Sequence, residues 1–137
     1  MNRKEFLNRL GTGAAFALTA TCLGRCSKDE ADYAPSNDVD FTLDLTDPAN
    51  AALETPGGYL VVDAVVVART TDGELVAATQ QCSHEGLYRI QLRNDEWYCP
   101  QHGARFSLSG AGLNADGSRG LRIYATERSG DLLRVYA

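Results

Sequence analysis

Residues 82–86 read Cys-Ser-His-Glu-Gly, and residues 99–103 read Cys-Pro-Gln-His-Gly. Each stretch holds one cysteine and one histidine and ends on a glycine, which suits a tight turn. His84 and His102 are the only histidines in the chain. Thiolate and imidazole groups are common ligands of transition metals. The sequence therefore predicts a metal centre between two loops, each of which supplies one ligand of each kind.

This arrangement resembles the Rieske iron–sulfur family, whose two ligand loops read C-x-H and C-P-x-H-G. The resemblance implies one [2Fe–2S] cluster, in which Cys82 and Cys99 hold one iron and His84 and His102 hold the other. Two neutral imidazoles in place of two thiolates remove the negative charge of the oxidised cluster. Reduction is then easier, and the potential lies on the order of hundreds of millivolts above that of an all-cysteine centre.

A structural zinc site is the alternative interpretation of the same four residues. Two cysteines and two histidines are a common tetrahedral zinc set, usually arranged as a Cys–Cys pair followed by a His–His pair. In this chain each pair is mixed. Zinc does not require that order, so the order favours the cluster. The corresponding functional alternative is a zinc-stabilised binding module.

The first 26 residues have the composition of an export signal. Three basic residues, Arg3, Lys4 and Arg9, precede an apolar, uncharged run over 12–23. This run is shorter than the roughly 20 residues that span a bilayer, so no permanent transmembrane anchor is expected. The start also resembles a twin-arginine export motif, with Lys4 in place of the second arginine. A general secretion signal is the alternative.

Two cysteines close the apolar run and resemble bacterial lipoprotein acylation sites. Cys26 is the better candidate, because the charged residues of the mature chain follow directly at 28–30. Cys22 is the competing site, and cleavage without lipidation is the third alternative. Several acyl chains on Cys26 would give a stable membrane anchor. We therefore expect an extracytoplasmic, membrane-anchored lipoprotein.

The charge of the chain bears on its partners. Nine of the thirteen basic residues and seventeen of the eighteen acidic residues follow Cys26, a net charge of −8. An acidic domain is repelled by nucleic-acid phosphates, so no nucleic-acid partner is expected. The same charge favours basic redox partner proteins through electrostatic steering.

Local patterns give the domain organisation. Residues 27–37 are polar, lack periodicity and contain Pro35, which predicts a flexible linker. Residues 38–137 form the predicted domain, with helical character only at Pro48–Leu53 and hairpin turns at 71–73 and 129–131. Short apolar or alternating runs predict strands at Phe41–Leu45, Tyr59–Val62, Ala64–Ala68, Leu75–Thr79, Arg89–Leu92, Glu96–Tyr98, Leu121–Ala125 and Leu132–Tyr136. The predicted class is all-β, an antiparallel sandwich or small barrel.

The resemblance extends over residues 38–137 and implies the Rieske fold, an antiparallel β-sandwich base with a small cluster-binding subdomain inserted over 80–113. High-potential members carry a disulfide between the ligand loops and two hydroxyl donors to sulfur. The matching positions in this chain are Leu87 and Gln101 for the disulfide, and Ala104 and Phe106 for the hydroxyls. The family's third loop maps to 116–120 and lacks its proline. The resemblance therefore implies a low-potential, ferredoxin-like variant.

These features favour one-electron transfer by a membrane-tethered protein that performs no bond chemistry on a substrate. One alternative is the Rieske subunit of a quinol oxidase or arsenite oxidase-like complex. Another is the ferredoxin component of an aromatic-ring dioxygenase. In each case the expected partner is a redox protein, such as a cytochrome or an oxidase component.

Overall fold

The computed structural model describes residues 33–137, in which nine antiparallel strands form two sheets. The strands are β1 (Asp40–Asp44), β2 (Tyr59–Val62), β3 (Val65–Arg69), β4 (Leu75–Thr79), β5 (Gln91–Arg93), β6 (Glu96–Cys99), β7 (Ala104–Phe106), β8 (Ile123–Ser129) and β9 (Leu132–Tyr136). A larger, base sheet has the order β1-β9-β8-β4-β3-β2, and a smaller sheet has the order β5-β6-β7. The predicted all-β class, with a small subdomain inserted into a larger base, is confirmed.

The predicted helical turn and both predicted hairpins are present. A 3₁₀-helix runs from Pro48 to Glu54, and the side chain of Asp47 caps its start by accepting a hydrogen bond from the Ala49 amide. The turn at 71–73 joins β3 to β4, and Gly73 has a φ of +89°. Gly130 has a φ of +59° between β8 and β9, a conformation that favours glycine.

The predicted strand bounds differ from the structure at several places: Arg89–Leu92 becomes β5 at Gln91–Arg93, and Leu121–Ala125 becomes β8 at Ile123–Ser129. Ala64 was assigned to a strand, but it lies with Asp63 in the two-residue turn that joins β2 and β3, where their φ angles are +63° and +47°. A two-residue hairpin loop of type I′ has left-handed backbone at both positions, and this requirement overrides the strand preference of the run. The sequence also gave no sign of β7, whose three residues are too few to form a pattern.

Strand β3 connects the two halves of the domain. Val65 and Val67 pack in the core of the base with Leu133 and Val135. Val66 and Ala68, on the opposite face, pack in a second core that contains Trp97 and Phe106 of the small sheet. Because β3 is covered on both faces, its sequence is a continuous apolar run rather than an alternating one.

The cluster-binding subdomain of the prediction corresponds to the small sheet and the loops around it. The chain leaves the base at the end of β4, passes through 80–90 into β5, and returns through 107–122 to β8. Trp97 on β6 lies opposite Phe106 on β7, and both side chains are fully buried. The second core therefore supports Cys82 and the end of β6, where Cys99 lies.

The predicted export signal over 1–26, with Cys22 and Cys26, and the first part of the linker, 27–32, lie outside the described residues. Within the described part, residues 33–37 lie along the domain. The Arg122 amide donates to the Tyr33 hydroxyl over 2.6 Å, and the Ala34 amide donates to Gln81 Oε1 over 2.9 Å. The Tyr124 hydroxyl donates to the Ser36 carbonyl over 2.8 Å. From residue 33 onward, the helical structure is too short and too polar to cross a bilayer.

Candidate metal centre

The first ligand loop (residues 82–88) and the second ligand loop (residues 99–103) turn in the same way. The Gly86 amide donates to the Cys82 carbonyl over 2.8 Å, and the Gly103 amide donates to the Cys99 carbonyl over 2.9 Å. The φ angles of these glycines are +72° and +79°, which L side chains rarely adopt. In each loop the histidine therefore lies within a tight turn that starts at the cysteine and closes at the glycine.

The structure brings the four predicted ligands together at one edge of the small sheet. Cys82 and Cys99 are 1% and 3% exposed, and neither forms a disulfide. The side chains of His84 and His102 are 33% and 45% exposed, and their ring centroids lie 5.4 Å apart with an interplanar angle of 78°. The thiols therefore face the core and the imidazoles face the surface. Across residues 33–137, no three Cys, His, Asp or Glu side chains converge closely enough for a single ion.

The surroundings of the thiols suit a bound cation. Burial raises the pKa of the Cys82 thiol to about 11, and the hydrogen-bonded Cys99 adds to the rise. The backbone N–H groups of His84 and Glu85 point at the Cys82 sulfur and lower this pKa in part. Such a thiol loses its proton near neutral pH only when a metal ion takes its place. The N–H groups are then donors to the resulting thiolate.

A buried hydroxyl also fits a group bound between the loops. Ser83 is fully buried between the first two candidate ligands, and its Oγ has no hydrogen-bond partner in the described part of the protein. A buried polar group without a partner costs about 1–3 kcal/mol. The cost would be relieved by an acceptor such as a cluster sulfur. The donor set of two thiols, two imidazoles and a free hydroxyl therefore fits an iron–sulfur cluster.

A third segment, the closing loop (residues 113–120), contacts both ligand loops. Asn114 Nδ2 donates to the Gly103 carbonyl over 2.7 Å, and Arg119 Nη1 donates to the Ser83 carbonyl over 3.1 Å. This loop corresponds to the segment whose missing proline was noted in the sequence. Its polar contacts hold it against the site, and sequence reasoning did not find them. The only available signal was the turn composition at Asn114–Gly117.

Two carboxylates face the outer edges of the imidazoles. His102 Nε2 lies 2.8 Å from Glu85 Oε1, and His84 Nε2 lies 3.4 Å from Asp116 Oδ1. Glu85 follows His84 directly but contacts the histidine of the other loop. Neither acidic residue was identified from the sequence, because the contacts join segments that are distant along the chain.

The positions that depart from the high-potential pattern lie where the sequence placed them. Leu87 and Gln101 lie in the two ligand loops, and Gln101 is exposed. Ala104 and Phe106 are fully buried in the same core as Cys82 and Cys99. Neither side chain carries a hydroxyl. Among residues 33–137 no disulfide braces the loops.

Comparison with known proteins identifies the family. The family model for the Rieske [2Fe-2S] domain matches residues 45–125, more than half of the chain. No curated protein matches the chain significantly. Among solved structures, the plasma membrane Rieske protein PetC3 from Synechocystis PCC 6803 is 30% identical. The match covers 64% of this chain and 93% of that protein, with a TM-score of 0.51.

Two further structures come from carbazole 1,9a-dioxygenase systems. A chain of the complex of reduced oxygenase and oxidised ferredoxin is 25% identical over 59% of this chain and 90% of that chain, with a TM-score of 0.50. The ferredoxin from Nocardioides aromaticivorans IC177 is 24% identical over 74% and 96%, with a TM-score of 0.52, and shows the shared fold.

The chain belongs to the Rieske [2Fe-2S] family. Its domain binds one [2Fe–2S] cluster and acts in electron transfer. The family also decides between the two predicted kinds of metal centre, in favour of the cluster over zinc.

Proposed function

We propose that the protein is a membrane-tethered, extracytoplasmic one-electron carrier whose cluster ligands are Cys82, His84, Cys99 and His102. One observation carries the ligand assignment: two buried thiols and two surface imidazoles meet between loops with the same glycine turn. The bound cluster would supply the redox change. The chain's own groups hold it, shield the sulfur side within the core, and leave the imidazole side open to a partner.

The arrangement of the ligands suits electron transfer rather than substrate chemistry. The imidazoles are the most exposed of the four ligands, so an approaching partner protein meets them first. The ligand loops are held by backbone hydrogen bonds and by the closing loop, so little rearrangement is needed when charge changes. A redox partner protein, a cytochrome or an oxidase component, fits this role.

Spectroscopy of purified variants tests the ligand assignment. We expect His84→Ala and His102→Ala each to abolish the Rieske electron paramagnetic resonance signal of the dithionite-reduced protein. Gln101→Ala is the matched control, because Gln101 is exposed in the second ligand loop and is not a proposed ligand. An unchanged signal in either histidine variant would show that the assignment is wrong.

The proposed placement outside the cytoplasm rests on the sequence of residues 1–26 and on the similarity to PetC3, a plasma membrane protein. We propose lipidation at Cys26. Mass spectrometry of the protein from membranes should find a mature N-terminus at Cys26 that carries acyl chains. A Cys26→Ala variant should be released from the membrane fraction, whereas Cys22→Ala should stay bound. An intact Met1, or acylation at Cys22, would contradict the proposal.

A second candidate is the ferredoxin component of a dioxygenase, which the similarity to the carbazole 1,9a-dioxygenase complex favours. The two functions differ in location and donor. A dioxygenase ferredoxin works in the cytoplasm, whereas a tethered carrier is reduced at the membrane. Fractionation of cells, followed by reduction assays with membranes and with cytosol, distinguishes them.

A further inference from the structure

We propose that Glu85 and Asp116 are positioning residues for the two ligand imidazoles and lower the reduction potential of the bound cluster. Each carboxylate lies against the outer nitrogen, Nε2, of one histidine, where it would accept a hydrogen bond from that nitrogen and leave Nδ1 free for the metal. The inference rests on the proposed ligand set.

The geometry of the two contacts is specific. His102 Nε2 lies 2.8 Å from Glu85 Oε1, which is an ordinary hydrogen-bond distance for N–H···O. His84 Nε2 lies 3.4 Å from Asp116 Oδ1, a longer and weaker contact. Both carboxylate side chains are 42% exposed, so each lies at the rim of the site rather than in the core.

The local structure holds each carboxylate in place. Glu85 lies at the tip of the first ligand loop, immediately before Gly86, whose amide closes the turn onto the Cys82 carbonyl. Asp116 lies in a turn in which the Gly117 amide donates to the Asn114 carbonyl. A side chain at Gly117 would place its Cβ 2.4 Å from the Arg105 carbonyl oxygen, so this turn needs glycine.

The two contacts also join three segments of the chain. Glu85 of the first ligand loop reaches the histidine of the second, and Asp116 of the closing loop reaches the histidine of the first. Arg119 ties the closing loop to the Ser83 carbonyl. Each carboxylate therefore contacts a histidine that belongs to a different segment of the chain. This is the arrangement expected of a group that orients a ligand.

The physical effect follows from charge and from hydrogen bonding. A carboxylate that accepts the outer N–H of a metal-bound imidazole fixes the ring orientation and raises its basicity. A more basic ligand and a nearby negative charge both stabilise the oxidised cluster, which carries the smaller negative charge. Because the carboxylates are partly exposed, solvent weakens this effect. We expect each carboxylate to lower the equilibrium constant for reduction of the cluster by a factor of about three to ten.

Redox titration of the intact protein tests the inference. Glu85→Gln keeps the side-chain size but removes the charge, and it should raise the equilibrium constant for reduction about tenfold, which is about 59 mV for one electron. Asp116→Asn should raise it about threefold, because its contact is longer. Visible circular dichroism should remain that of an intact cluster in both variants. Glu85→Asp keeps the charge, so its midpoint should lie between those of the wild type and Glu85→Gln.

Asp72→Asn is the matched control for charge alone. Asp72 is exposed in the turn at the far end of β4, five residues of strand away from the first ligand loop. That separation is about 17 Å along the strand, beyond the screening length of about 8 Å at physiological salt. The control should leave the midpoint unchanged. Raising the salt concentration should leave the Glu85→Gln shift largely in place, because a hydrogen-bonded pair is screened less than separated charges.

The outcomes separate this inference from the proposed function. If the wild-type protein shows no Rieske spectrum, the proposed function fails. If the wild type titrates normally but Glu85→Gln and Asp116→Asn shift the midpoint no more than Asp72→Asn, or lower it, only the present inference is overturned. Loss of the Glu85→Gln shift at high salt would also overturn it, since the effect would then be that of a distant charge.

Discussion

Adding hydroxyl donors beside the cysteines should raise the reduction potential, and Ala104→Ser is the cleanest such change. Ala104 on β7 lies directly opposite Cys99 on β6. Cβ atoms of opposite residues in an antiparallel pair lie about 4.5–5.5 Å apart. In a suitable rotamer, a hydroxyl at position 104 therefore comes within hydrogen-bonding distance of the Cys99 sulfur. Phe106 is on the same face of β7 two residues later, so Phe106→Tyr adds a second hydroxyl within the same core.

The expected size follows from the worth of one hydrogen bond. A neutral hydrogen bond contributes about 0.5–1.5 kcal/mol net. For one electron, about 1.4 kcal/mol corresponds to about 59 mV. If each new bond forms mainly in the more negative, reduced state, the double variant should have a midpoint about 40–130 mV above the wild type. The Phe106→Tyr change carries a packing cost of about 1–3 kcal/mol, because Phe106 is fully buried.

The assay is a redox titration followed by electron paramagnetic resonance, with thermal unfolding of each variant as the check on stability. Ala111→Ser is the matched control, because it adds the same hydroxyl at an exposed position outside the core. It should leave the midpoint unchanged. A double variant with an intact cluster and an unchanged or lower midpoint would refute the reasoning. A wild-type midpoint near the top of the Rieske range, about +300 mV, would refute it as well.

Three further changes test other features of the structure. Ser83→Ala removes the buried hydroxyl between Cys82 and His84. It should lower the midpoint by up to about 60 mV in the same redox titration. A rise in the midpoint would show that Ser83 does not donate to the cluster. Ala64→Gly relieves a left-handed alanine and should stabilise the domain by about 1 kcal/mol in urea unfolding, whereas a loss of stability would contradict the turn. Tyr33→Phe removes the acceptor of the exposed Arg122 amide and should destabilise the domain by about 0.5–1.5 kcal/mol in the same assay. No effect is expected if residues 33–37 do not lie along the domain.

The ligand loops could be predicted because their information is local. Cysteine, histidine and glycine stand at fixed spacings within five residues, and both glycines adopt the left-handed conformation that the turns require. The larger strands could also be predicted, since β2, β4 and β9 are bounded in the sequence by clear turn residues. The order of base, subdomain and base was implied by the resemblance to the Rieske family and not by the strand patterns themselves.

The surroundings of the site could not be predicted, because they depend on contacts between distant segments. Asp116 and Arg119 reach the first ligand loop from the closing loop, and no spacing rule connects them. Glu85 follows a ligand in the sequence, yet it contacts the ligand of the other loop. Strand β7 was missed for a related reason. Its three residues are stabilised by pairing with β6 and by burial under Trp97, not by their own pattern.

Several features of the site combine to set its potential. With the proposed ligands, the missing hydroxyls at positions 104 and 106 and the carboxylates of Glu85 and Asp116 would all favour the oxidised cluster. The N–H groups near Cys82, and the Ser83 hydroxyl if it donates to the cluster, would act in the opposite direction. Backbone N–H donors are available in any loop of this shape. The difference in reduction potential from high-potential relatives therefore depends on the side chains. Four side-chain features oppose one hydroxyl, so we expect a midpoint toward the low end of the range of about −150 to +300 mV. A cluster in that range is a poor acceptor for electrons from ubiquinol, and this favours a carrier role over quinol oxidation.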